Sequence, residues 1–99
     1  MNKEELQGRI KSLRRQILVH ACIFEMGEVM MSRERWESMA DELLEIQSAN
    51  IDCCDVGLFD DIFRSWDGRE TAQLPLKDER IITRANWLLE NKDITPSLL

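Results

Sequence analysis

At 99 residues the chain has room for one domain, which at this size buries roughly 60 to 70% of the surface that its extended form exposes. With 43% hydrophobic and 32% charged residues it lies away from the low-hydrophobicity, high-charge compositions that stay disordered. The net charge of −6 argues against direct nucleic-acid binding, which calls for a basic patch or stripe.

No apolar run approaches the roughly 18 to 20 residues of a membrane span, and Met1 to Glu5 lead into a charged helix rather than a signal-peptide core. The expected location is cytoplasmic, with no membrane role. The three cysteines are odd in number, and Cys53 and Cys54 are neighbours whose bridge would strain the intervening peptide. Free thiols are expected. The charge is unevenly spread, because residues 21–67 carry twelve acidic and three basic groups.

In chain order, Leu6, Ile10, Leu13, Ile17, Ala21 and Phe24 recur at spacings of three and four, which predicts a helix over residues 3–26. Lys11, Arg14 and Arg15 fall together on another face of its first half, while the stretch from Ile17 to Phe24 is apolar almost all round and should run through the core. Gly27 is a stop signal and Ser32 an N-cap, so a second helix should extend to about residue 48 with Trp36, Met39, Ala40, Leu43 and Ile46 inward. The short link makes the two helices an antiparallel hairpin.

Residues 50–57 read as a loop, and residues 58–66 as a short helix burying Leu58, Phe59, Ile62 and Phe63. A turn at Asp67-Gly68 follows, then an extended segment pinned by Leu74 and Leu76. Asp78 caps a last helix with Ile81, Ile82, Ala85, Leu88 and Leu89 on its stripe. The expectation is an all-α fold: a helical hairpin with a short third helix and a C-terminal helix packed on it. One domain spans residues 1–92, and residues 93–99 form a flexible tail. Trp36, Trp66 and Trp87, one on each of three helices, should meet in a shared core.

No glycine-rich phosphate loop, nucleophile elbow or zinc motif is present, and the single histidine, His20, has no serine or cysteine at a pairing distance along its helix. It reads as a partly buried histidine with one hydrogen bond. No catalytic residue, metal ligand or cofactor is assigned, and the chain is not expected to be an enzyme. The most pronounced chemical pattern is on the second helix, where Glu34, Glu37, Asp41 and Glu45 form one acidic column at spacings of three, four and four. With Asp60 and Asp61 downstream, this column makes a surface that attracts a basic partner.

The stretch from Ile23-Phe24 through Met30-Met31-Ser32-Arg33-Glu34-Arg35-Trp36-Glu37 to Glu42-Leu43 resembles the small N-terminal helical subdomain of NAD-dependent DNA ligases. It more closely resembles short stand-alone ligase-like proteins of phages and prophages, which Phe59 to Trp66, Asp67-Gly68, Leu74-Pro75 and the last helix also match. In the ligases this subdomain grips the nicotinamide mononucleotide half of NAD, and the adenylated lysine lies in a separate domain. The gripping Tyr-His pair corresponds here to Ile23 and Phe24, the first Asp to Arg33, and the Tyr-Asp pair to Trp36 and Glu37, so an aromatic and a carboxylate persist only at the last pair. The resemblance implies a non-enzymatic accessory protein of phage or prophage type. Its acidic face would act on a basic host protein, of the kind found in nucleic-acid-handling enzymes or defence systems. A vestigial nucleotide module using Phe24, Trp36 and Glu37 is the alternative, and a homo-oligomeric packing domain a second one.

Overall fold

The computed structural model describes residues 2–91, in which four α-helices and two short 3-10 turns surround one hydrophobic core. The expected tail over residues 93–99 lies outside the described residues. Helix α1 spans Lys3–Glu25, opened by Asn2, whose side chain accepts from the Glu5 amide at 2.8 Å. It stops where the sequence says it should. Gly27 takes a φ of 80°, its amide donates to Phe24 O, and the Glu28 amide donates to Ile23 O, which together satisfy the last carbonyls in a Schellman closure.

Helix α2, Arg33–Ala49, starts at Ser32, whose hydroxyl accepts from the Arg35 amide at 3.1 Å. The end of α1 meets the start of α2 through Phe24 and Trp36, whose rings sit edge-on at 6.3 Å, while Arg9 near the start of α1 reaches Glu42. The hairpin is therefore antiparallel. Leu13, Ile17, Trp36 and Leu43 are fully buried at its centre, with Phe24 and Met39 packed partly buried against them. Trp36 also donates its indole N–H to Ile17 O at 3.1 Å, which satisfies the one polar atom that the ring takes into the core.

The loop after α2 contains a 3-10 turn, Ile51–Cys53, and the third helix is shorter than its sequence suggests: α3 covers Asp60–Ser65. Of the four apolar residues expected to be buried there only Phe63 is; Leu58, Phe59 and Ile62 are half-buried. A second 3-10 turn, Thr71–Gln73, leads to Leu74, which is buried as expected. Helix α4, Glu79–Glu90, is capped by Asp78 and packs along α1 through Ile81, Ala85 and Leu88. Trp66 joins Trp36 edge-on at 5.9 Å, but Trp87 corrects the expectation of a shared tryptophan core, being 42% exposed. It lies two positions beyond Ala85 and one before Leu88, outside the stripe that faces α1.

Arg14 overturns a second expectation. Instead of sharing a surface face with Lys11 and Arg15, it is completely buried. Its Nε donates to Gln47 Oε1 at 3.0 Å, Nη1 to Asp60 Oδ1 at 2.6 Å and Leu58 O at 3.1 Å, and Nη2 to Cys54 O at 3.0 Å. Its guanidinium carbon lies 5.2 Å from the centre of the Phe63 ring. A buried cation is tolerated only when paired and hydrogen-bonded, and here one side chain ties α1, α2, the loop and α3 together.

Candidate partner-binding surface

The acidic column is where the helical spacing places it. Glu34, Asp41 and Glu45 are exposed on the outer face of α2, and Glu37 is half-buried beside them. That face is not bare, because a loop segment leans over it. Asp67 Oδ1 accepts from the amides of Arg69 and Glu70 at 2.9 Å each, closing a turn in which Gly68 has a φ of 87° and lies directly under Leu44. A Cβ at Gly68 would stand 2.6 Å from Leu44 Cδ1. This close approach to α2 delivers Arg69 to the column, where it pairs with Asp41 at 3.0 Å and Glu37 at 3.8 Å.

One arginine thus meets two carboxylates, and Glu34 and Glu45 form no ion pair among the described residues. Both pairs are solvent-exposed and contribute about 0 to 1 kcal/mol each, so the face keeps excess negative charge without being costly to the fold. Asp61 is also available: its side chain is 96% exposed and it touches Arg64 at 3.4 Å, which reaches Asp55 at 3.3 Å.

Asp60, the sixth residue assigned to this surface, belongs elsewhere. Its carboxylate is taken up by Arg14 and by the amides of Val56 and Gly57, at 3.1 and 3.0 Å. Burial works to raise its pKa, but the Val56 amide, the Arg14 guanidinium and the Gly57 amide outweigh it and hold the carboxyl below its ordinary range. Asp60 is a structural anchor. Its capture bends the chain just before α3, where Phe59 adopts a left-handed φ of 51°.

The nucleotide-gripping alternative meets a steric obstacle. Trp36 is 1% exposed, with Phe24 and Trp66 against its ring, so no face is left on which a nicotinamide or base can stack. Phe24 is covered in turn by Arg33, whose guanidinium lies 4.5 Å from its ring centre. Glu37 is bound to Arg69 rather than turned toward these rings as one pocket.

His20 is buried, and its Nδ1 has no hydrogen-bond partner among the described residues, unlike the singly bonded histidine expected from the sequence. Cys22, Cys53 and Cys54 are free thiols, and burial pushes Cys22 and Cys54 up from the ordinary thiol value, away from nucleophilic reactivity. Among the described residues no group of three or more His, Cys, Asp or Glu side chains is placed to hold a metal ion. None of the described helices is long and apolar enough to cross a membrane.

Compared with known proteins, the chain matches no family model, no curated protein and no solved structure.

Proposed function

We propose that this chain is a non-catalytic binding protein of phage or prophage type that works in the cytoplasm and engages a basic protein through the outer face of α2. The observation that supports this reading is the charge imbalance on the outer face of α2: of Glu34, Glu37, Asp41 and Glu45, only Glu37 and Asp41 form ion pairs among the described residues, both with Arg69. Such a surface accelerates encounter with a positively charged partner and imitates, in its row of anions, the backbone that a nucleic-acid-handling enzyme binds.

The test uses Glu34→Gln, Glu37→Gln, Asp41→Asn and Glu45→Gln combined in one variant. Because these groups are solvated, the variant should melt within about 1 kcal/mol of the parent. A partner cross-linked to the parent in host extract is then purified and titrated with both proteins at several salt concentrations. The parent should bind it steeply better at low salt, since screening acts over about 8 Å at physiological ionic strength. The variant should lose most of that binding and show a flatter salt dependence, and duplex DNA should compete. Equal binding of both proteins at every salt concentration would remove this face from consideration.

A further inference from the structure

Basic side chains gather where α4 packs along α1. Between α1 and α4 lies a cleft of about 410 Å³ whose floor is Leu18, Ile81 and the half-buried Phe59, and whose rim carries Arg15, Arg80 and Arg84. Arg15 and Arg84 also border an adjoining hollow of about 200 Å³ that ends on His20. In a chain of net charge −6, three arginines converging on one concavity are unexpected from composition.

Of the three, only Arg80 has a charged partner among the described residues, the Asp78 carboxylate that its Nε and Nη2 both reach. Arg80 also lies over the Phe59 ring, while Arg84 lies over Trp87. Neither Arg15 nor Arg84 forms an ion pair among the described residues. His20 borders the adjoining hollow but is 2% exposed, with no hydrogen-bond partner for Nδ1 among the described residues.

We propose that this cleft binds a small organic anion, a phosphate or carboxylate head on an apolar or aromatic body. The guanidiniums suit the head, because their forked donors match carboxylate and phosphate oxygens. The apolar floor suits the body, and the volume lies in the range of small-molecule sites, roughly 300 to 1,000 Å³. A polyanion such as duplex DNA is disfavoured by the net charge of −6.

Phenyl phosphate and octanoate are titrated into isotope-labelled protein and followed by amide chemical shifts, with inorganic phosphate and octanol as probes that each carry one half of the ligand. Saturable shifts centred on Arg15, Leu18, Phe59 and Arg84 are expected for the two amphiphilic anions, with at least about tenfold weaker binding of the half-ligands. Arg15→Gln and Arg84→Gln, both at exposed positions, should each weaken binding about tenfold, the equivalent of one charge-assisted hydrogen bond. Arg69→Gln on the α2 side should leave it unchanged. Shifts that do not saturate, octanol or inorganic phosphate binding as well as the amphiphiles, or full affinity in both cleft variants would overturn the proposal. None of these outcomes depends on whether α2 binds a protein.

Discussion

Replacing Arg14 with methionine removes four hydrogen bonds from a completely buried position while roughly preserving its volume. Gln47 Oε1 and the carbonyls of Cys54 and Leu58 lose a donor, and Asp60 keeps only the Val56 and Gly57 amides against its charge. Breaking a buried ion pair from one side costs about 3 to 5 kcal/mol, chiefly because the surviving charge stays desolvated. Against a total stability of about 5 to 15 kcal/mol, that is a large share. For a domain of this size each kcal/mol is about 4 to 8 °C, so the melting temperature should fall by on the order of 20 °C. Arg14→Lys should lie between, since one ammonium can reach Asp60 but cannot serve the three other acceptors at once. Urea denaturation of the parent, Arg14→Met, Asp60→Asn and the double variant gives the coupling directly. The double variant should be more stable than the sum of the two single losses predicts. If Arg14→Met lies within about 1 kcal/mol of the parent, the guanidinium is not what joins the loop to the helices.

Gly68→Ala should cost about 1 to 2 kcal/mol, because its φ of 87° is unfavourable for any residue with a Cβ and Leu44 must also yield; a variant with the parent's urea midpoint would show that the turn relaxes freely. Acid should weaken the fold in two stages. Burial first, and the Arg35 charge second, hold His20 below its ordinary pKa, so stability starts to fall as pH drops through the unfolded value of about 6.5 and levels off below the lowered folded one. Asp60 is depressed in the folded state, so its contribution is complete above the unfolded value of about 3.9 and disappears as pH falls through the folded one. Urea midpoints across pH should lose the first stage in His20→Gln and the second in Asp60→Asn, whereas a parent stability flat from about pH 7 to about pH 3 would refute both assignments.

The helices were legible because their signals are local. Apolar residues at spacings of three and four, Gly27 after the first stripe, and Ser32 and Asp78 before the later ones each act within a turn or two of chain. The loops were not, because their shape is set by groups distant in sequence. Asp60 reads as one more surface acid until its partner, forty-six positions away, is known. Arg14 did leave a trace: Ile10, Arg14, Ile17, Leu18 and Ala21 are in helical phase, so the arginine sits on the buried stripe. Charge alone led to its placement outside. The acidic column was visible as spacing, but its partial neutralisation was not, since Arg69 arrives by way of a glycine pressed against Leu44.

Arg14 and Arg15 are adjacent on α1, one buried and the other exposed, and this divergence links the core to the cleft. Inward, Arg14 holds Asp60 and the carbonyl of Leu58. Asp60 in turn gathers the Val56 and Gly57 amides, which leaves Phe59, the residue between these anchors, in its left-handed conformation. Leu58 and Phe59 are then set against the α1–α4 cleft, where Phe59 meets Arg80, and Arg15 closes the rim from the other side. A left-handed phenylalanine is costly by itself, on the order of 1 kcal/mol or more, and persists because a buried charge cluster over-determines it. The wall of the cleft is therefore held by the ion pair beneath it rather than by its own contacts. Solvated acids on α2 can change at little cost to the fold, whereas the shape of the cleft depends on one buried guanidinium that holds its wall from behind through the carbonyl of Leu58.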